Sequence, residues 1–123
     1  MLKLLPIITV AIFLGGCASS ASLRENAPTL RQKSLLSAKD VAVCVGEKWG
    51  KMQGYNAHAS MMILKNGYAV ELRGETGTVG TIFVADITDT PTGGSETSVY
   101  SYSHIFNPTP KRFPDAVISC QTN

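Results

Sequence analysis

The chain has 123 residues, which is enough for one small domain and too few for two of ordinary size. Its 11 basic and 9 acidic side chains leave a formal net charge of +2. This near-neutral balance gives no reason to propose nucleic acid as a partner, and it argues against a polybasic surface for membrane binding.

The first seventeen residues have the layout of an export signal. Lys3 gives a cationic start, Leu4 to Leu14 is almost wholly apolar, and small residues precede Cys17. The apolar run is too short for a transmembrane helix. The closing motif Leu14-Gly15-Gly16-Cys17 resembles the lipobox of bacterial prolipoproteins. The resemblance implies that residues 1–16 are cleaved and that Cys17 becomes the first mature residue, carrying a diacylglyceryl group and an N-acyl chain such as palmitate.

The same resemblance suggests a destination. Ala18 and Ser19, with no Asp directly after Cys17, follow the sorting pattern of lipoproteins that reach the outer membrane of a host with two membranes. We therefore expect a lipid anchor in the cell envelope that faces the periplasm, and no cofactor besides the lipid on Cys17. Two alternatives stay open: an ordinary secretory signal with an incidental cysteine, and an uncleaved N-terminal anchor.

The segment after the signal is predicted to be the lipidated N-terminus and a flexible tether over residues 17–36. It is rich in Ser, Ala, Thr and Asn, contains Pro28, and has no sustained hydrophobic period. A flexible segment of this length spans roughly 25 Å on average, which would hold a domain clear of the lipid headgroups. The alternative is that Leu30 to Leu36 packs on the domain as an extra turn of helix.

A single folded domain is predicted over residues 37–123, and it begins with a helix. Ser37 and Asp40 have the spacing of an N-terminal capping box, and apolar residues then recur at helical spacing. Cys44 lies on or beside the buried stripe of this helix. Gly46, inside this helix, indicates either a close packing contact at that position or a helix that is stable enough to include a poor helix former.

From residue 57 onward the hydrophobic period changes to two, which predicts strands. The predicted strands are Met61–Lys65, Tyr68–Arg73, Thr81–Ile87 and Thr97–Ile105. They form a four-stranded antiparallel meander. Asn66-Gly67 is the strongest hairpin signal in the chain, and a two-residue turn at this dipeptide places Ile63 opposite Val70.

A short helix near Phe113 to Cys120 completes the predicted α+β fold. Setting Cys17 aside for lipid leaves Cys44 and Cys120 in a compartment where disulfides persist. A bond between them would join the two helices on one face of the sheet and stabilise the fold by roughly 4 to 5 kcal/mol in the chain-entropy model. The alternatives are two free buried thiols or a redox pair, although no C-x-x-C spacing supports a redox pair.

The sequence has no arrangement typical of a catalytic or metal site. His58 and His104 are its only histidines, and neither has a local partner arrangement. Asp86 and Asp89 offer oxygen ligands near a loop, but no EF-hand spacing surrounds them. Motifs of serine hydrolases, zinc proteases and phosphate-binding loops are absent. An enzyme is therefore the least favoured class, and it requires these four side chains to converge in one cleft.

The leading hypothesis is a lipid-anchored envelope lipoprotein that serves as a non-catalytic interaction or structural module on the periplasmic side of the outer membrane. Trp49, Tyr100 and Tyr102 are candidate contacts with an envelope protein, because exposed aromatic residues commonly anchor interfaces. For Trp49 the alternative is a place in the core.

The second hypothesis is an inhibitor or exclusion lipoprotein that blocks an incoming enzyme, phage or conjugative element. Small disulfide-bonded lipoproteins of plasmids and phages, and lysozyme inhibitors, are similar in size and layout. No inhibitory loop motif of theirs matches residues of this chain. The hypothesis predicts a protruding, rigid loop, and Thr88 to Ser95 is the first place to look.

Overall fold

Five strands paired into one antiparallel sheet organise the chain. The computed structural model describes residues 19–52, 57–74, 80–101 and 111–122. The elements are α1 (Ser20–Leu23), β1 (Leu30–Ser34), α2 (Ala38–Lys51), β2 (Ala57–Leu64), β3 (Gly67–Gly74), β4 (Thr81–Asp89), β5 (Ser95–Ser101) and α3 (Arg112–Ser119). The strand order is β1-β5-β4-β3-β2, and every neighbouring pair is antiparallel. The predicted α+β class is confirmed.

Helix α2 lies across one face of the sheet because its apolar residues share one side. Ser37 is its N-cap, as predicted, and the Ser37 Oγ accepts a hydrogen bond from the Asp40 amide at 3.2 Å. Asp89 caps the helix from β4, because its Oδ1 accepts from the Ala38 amide at 2.9 Å. The buried side of α2 consists of Ala38, Val41, Ala42, Val45 and Trp49. Each large apolar side chain that is fully buried there contributes roughly 1.5 to 3 kcal/mol to folding.

Helix α3 packs beside α2 on the same face, and a disulfide joins the two helices. Cys44 and Cys120 are bonded with their Cα atoms 5.7 Å apart, which confirms the predicted bridge. Because the bond spans 76 residues of sequence, it stabilises the folded state by about 4.5 kcal/mol in the chain-entropy model. Trp49 makes a second link between the helices, since its Nε1 donates to the Phe113 carbonyl at 3.1 Å.

The predicted tether is wrong for residues 19–36, because this part of the chain belongs to the folded domain. Strand β1 pairs with β5 along its whole length, so the sheet has five strands instead of four. The Thr29 amide adds a hydrogen bond to the Val99 carbonyl at 2.8 Å. The extra helical turn considered for Leu30 to Leu36 is also wrong, since Leu30–Ser34 is a strand.

The composition of β1 explains why its strand character is hidden in the sequence. Its burial alternates between half-buried and exposed residues, as expected of an edge strand. Leu30 is its only apolar residue, and the inward positions Gln32 and Ser34 are polar. A strand with one apolar side chain produces no hydrophobic period.

The hairpin of β2 and β3 is present, but its turn lies one residue earlier than predicted. The turn residues are Lys65 and Asn66, and β3 already begins at Gly67. Ile63 therefore lies opposite Tyr68 instead of Val70. A shift of two positions keeps every side chain on its original face, so the assignment of residues to faces is unaffected.

The two faces of the sheet carry separate apolar clusters. The larger cluster lies under α2 and α3 and includes Val70, Phe83 and Ala85. On the opposite side, called here the second face, α1 places Leu23 against Ala69 and Val84. The chain therefore covers both sides of its central strands, and α1 lies on the side away from α2.

Two glycines of the domain should respond in opposite ways to alanine. A Cβ at Gly67 would overlap the backbone carbonyl of Ile87 on β4, so Gly67→Ala should lower the free energy of unfolding by more than about 1 kcal/mol. At Gly46, inside α2, the nearest atom to an added Cβ is Val70 Cγ1 at 4.0 Å. Gly46→Ala should therefore raise the free energy of unfolding by about 0.5 to 1 kcal/mol. Chemical denaturation of the disulfide-bonded chain measures both changes, and equal effects of the two variants would contradict these opposite roles of the two glycines.

Candidate interaction surface

Among the side chains that the enzyme hypothesis requires, those that the structure describes have structural partners or lie apart. Asp86 holds Arg24 on the second face, and Asp89 caps α2 on the other face. His58 lies opposite Arg73 on β3. The β3 position opposite Asp86 is four residues away from Arg73, which is roughly 13 Å along the strand. His104 lies outside the described residues. Across the parts of the chain that the structure describes, no group of three or more His, Cys, Asp or Glu residues is placed to hold a metal ion.

The aromatic residues predicted to contact a partner have different positions. Trp49 is fully buried, so its prediction as a surface contact is wrong. Its ring lies 5.9 Å from the ring of Phe83, whose centroid is 5.0 Å from that of Phe113. Tyr100 is half-buried and packs against the cluster on the second face, while Tyr102 lies outside the described residues.

The loop between β4 and β5 is short and held against its neighbours. The predicted loop from Thr88 to Ser95 is reduced to Thr90–Gly94, because its first two residues belong to β4 and its last to β5. The Thr90 amide donates to the Gly94 carbonyl at 2.9 Å, which closes the loop on itself. A Cβ at Gly94 would overlap the Ser34 carbonyl, so the loop backs directly onto the end of β1. This geometry offers no extended arm of the kind that the inhibitor hypothesis predicts.

An exposed apolar strip along β2 is the surface feature that sequence reasoning missed. The β2 strip consists of Val43 on α2 and Met61, Met62 and Ile63 on β2, with exposed fractions of 39%, 47%, 41% and 84%. Met61 and Ile63 point to the face that α2 covers, and Met62 points to the second face, so the strip wraps around the edge of the sheet. Exposed apolar residues that are contiguous mark interaction sites more often than scattered ones do.

A shallow groove beside the strip separates α2 from β2. Its volume is about 300 Å³, and its lining is mainly small or apolar: Ala42, Val43, Gly46, Glu47, Ala59, Ser60 and Met61. The groove exists because α2 presents Gly46 and Ala42 toward the edge of the sheet, and these residues are too small to cover it. The run of four apolar residues from Met61 to Leu64, on a strand next to a hairpin and free of charged residues, is the sequence signal for this surface.

The N-terminal segment is held on the second face by an ion pair. Arg24 Nε donates to Asp86 Oδ2 at 2.8 Å, and Arg24 Nη2 donates to Oδ1 at 2.7 Å. This bidentate hydrogen bond to Asp86 raises the pKa of Arg24 above its usual value. Cys17, the predicted lipidation site, lies outside the described residues, two positions before Ser19.

The part of the chain that the structure describes contains no helix with the length and apolar character needed to cross a bilayer. Comparison of the chain with protein-family models, with curated proteins and with solved structures gave no match.

Removing the charge of Asp86 should loosen α1 without unfolding the sheet. In Asp86→Asn the Arg24 contact loses its ionic part, worth about 1 kcal/mol for a partly exposed pair. Hydrogen exchange at the Leu23 and Arg24 amides, which bond within α1, should speed up about fivefold. Glu96→Gln is the matched control, since it removes a carboxylate from the neighbouring strand β5. Unchanged exchange in Asp86→Asn, or an equal effect in the control, would contradict this role.

Proposed function

We propose that this protein is a lipoprotein of the bacterial cell envelope, anchored through lipid on Cys17, whose α+β domain acts as a non-catalytic interaction module. The observation that carries the interaction role is the β2 strip, because it places exposed apolar side chains on a strand that is the edge of the sheet among the described residues. Both are features of surfaces that bind other proteins. The partner is an envelope protein, and nucleic acid has no part in this role.

The anchor rests on the motif Leu14-Gly15-Gly16-Cys17 and on the apolar run before it. Acyl chains on Cys17 stabilise attachment by about 0.8 kcal/mol for each buried methylene, so several chains together hold the protein stably on a membrane. The sorting residues after Cys17 favour the periplasmic side of the outer membrane. The Cys44–Cys120 disulfide agrees with an oxidising compartment.

The ordered N-terminal segment changes how such an anchor positions the domain. Only Ala18 separates Cys17 from Ser19, and covalent geometry limits the distance across two residues to about 7 Å. Since α1 begins at Ser20 and packs on the second face, the lipid attaches close to the folded domain. The module is therefore held near the membrane surface, where confinement raises its local concentration.

Replacing the anchor residue tests the first half of the proposal. Cys17→Ser should prevent acylation and leave the precursor unprocessed, so the mature-sized, acylated species should be absent from the membrane fraction. Intact mass measurement and membrane fractionation report these changes. Cys120→Ser, which alters a cysteine inside the domain, should remain acylated. Normal mass and membrane partition in Cys17→Ser would overturn the anchor.

Photo-crosslinking from the strip tests the second half. A photoreactive amino acid in place of Ile63 should capture a discrete protein in intact cells, because this side chain lies at the centre of the proposed contact. The control places the same group at Leu35, which is even more exposed, at 98% against 84% for Ile63, but lies away from the strip. Absence of any discrete product at Ile63, or the same products at Leu35, would overturn the interaction role.

A further inference from the structure

Strand β2 lacks the features that keep most edge strands unpaired. Ala57–Leu64 contains no Lys, Arg, Asp, Glu or Pro, and it pairs with β3 over eight residues without a register shift. The other edge strand, β1, is only five residues long and carries Arg31 and Lys33 on its outward positions. Charges, prolines, bulges and short length are the usual protections of an exposed edge. Within the part of the sheet that the structure describes, β1 is therefore a protected edge and β2 is an unprotected one.

The hydrogen-bond pattern identifies the backbone groups that face outward from β2. The Asp89 amide donates to the Asn66 carbonyl at 2.8 Å. Because alternate residues of an antiparallel pair are hydrogen-bonded, this bond shows which residues of β3 bond to β4. The backbone amides and carbonyls of even-numbered β3 residues form hydrogen bonds with β4, and those of odd-numbered residues form hydrogen bonds with β2. The odd-numbered residues lie opposite His58, Ser60 and Met62. Alternate residues of β2, namely Ala59, Met61 and Ile63, consequently direct their amide and carbonyl groups away from the sheet.

We propose that β2 pairs in antiparallel fashion with β2 of a second copy of this chain, about a two-fold axis at Met62. The inference deepens the proposed function and rests on it, since it names the partner that the β2 strip binds. In this register Met61 of each copy lies opposite Ile63 of the other. The backbone amides and carbonyls of both residues point away from their own sheet, so the two copies can exchange hydrogen bonds through them. The two five-stranded sheets become one continuous sheet, in the isologous arrangement typical of homodimers.

The side chains of the strip are complementary to themselves in this register. Met61 and Ile63 of the two copies meet on the α2 side, and the two Met62 side chains meet on the second face, so every exposed apolar residue of β2 gains an apolar partner. An axis at Met61 would instead place Ile63 against Ala59. With the axis at Met62, Lys65 lies opposite Ala59 of the second copy, beside Glu47 in the groove, which adds a contact of opposite charges.

The anchors are compatible with this pairing. The two-fold axis of an antiparallel strand pair is perpendicular to the sheet, so both copies present the same face to the same side. Because α1 lies on the second face, both N-terminal segments leave the double sheet on one side. Two copies anchored in one membrane can therefore pair without strain in their attachments, and confinement to that membrane favours the encounter.

Cysteine crosslinking of the full chain in cells tests the pairing and its register. Met62→Cys places two thiols at the axis, where a directly opposed, non-hydrogen-bonded pair has its Cβ atoms about 4.5 Å apart, within reach of a disulfide. Ser60→Cys is the matched control on the same face of the same strand, because its two copies would lie four residues apart, roughly 13 Å along the strand. The expected result is at least about tenfold more disulfide-linked dimer for Met62→Cys than for Ser60→Cys on non-reducing gels.

A second pair of variants separates edge pairing from chance collision. Adding Met61→Lys to the Met62→Cys chain should abolish the dimer, because it places a lysine on the open edge. Adding Leu35→Lys, at an exposed site away from the edge, should leave the dimer intact. Equal crosslinking of Met62→Cys and Ser60→Cys, persistence of the dimer with Met61→Lys, or a mixed disulfide of Met62→Cys with another protein would overturn the pairing.

Membrane fractionation of the same samples distinguishes failure of the strand pairing from failure of the lipid anchor. A monomeric Met62→Cys chain in the membrane fraction would overturn the pairing and leave the anchor in place. A Met62-linked dimer in the soluble fraction would support the pairing and overturn the anchor.

Discussion

The pairing of β1 with β5 is the interaction on which the remaining architecture depends. It brings the N-terminal segment into the sheet, and Ser34 Oγ at its end donates to the Gln121 carbonyl after α3. It also covers β5 with a short, charged strand, so the only long apolar edge of the described sheet is β2. Both proposals follow from this arrangement: an anchor close to the domain, and an interaction surface on the opposite edge.

The elements predicted correctly from the sequence are those with strong local signals. Ser37 predicts the start of α2 because a hydroxyl at that position satisfies a first-turn amide, and the two cysteines left after Cys17 predict the bridge between α2 and α3. Strand β1 could not be predicted, because its stabilisation comes from backbone bonds to a strand far along the chain. The turn is predicted one residue too late because Gly67 is interpreted as a turn residue. The glycine is required there because β4 approaches its Cα closely, and no local sequence pattern reveals that approach.

The candidate site was harder to predict than the fold. Aromatic residues suggested contacts, but Trp49 joins α2 to α3 through its indole N–H and packs its ring near Phe83 of β4. Asp86 and Asp89 suggested ligands, but their carboxylates hold α1 and cap α2. Polar side chains with a structural partner look the same in sequence as polar side chains that await a ligand. The β2 strip, in turn, resembles an ordinary core strand until the sheet order places it at an edge.

The distance in sequence between paired strands also governs how quickly this fold forms. Leu30 pairs with Val99, and the bonded cysteines are 76 residues apart, so the contacts that close the sheet are among the least local in the chain. Domains dominated by such contacts fold in roughly milliseconds to seconds, more slowly than those built from local contacts. During that interval the β2 hairpin can already form from nearby residues, with its apolar edge exposed. Newly synthesised chains are therefore most prone to aggregation before β5 and α3 are in place.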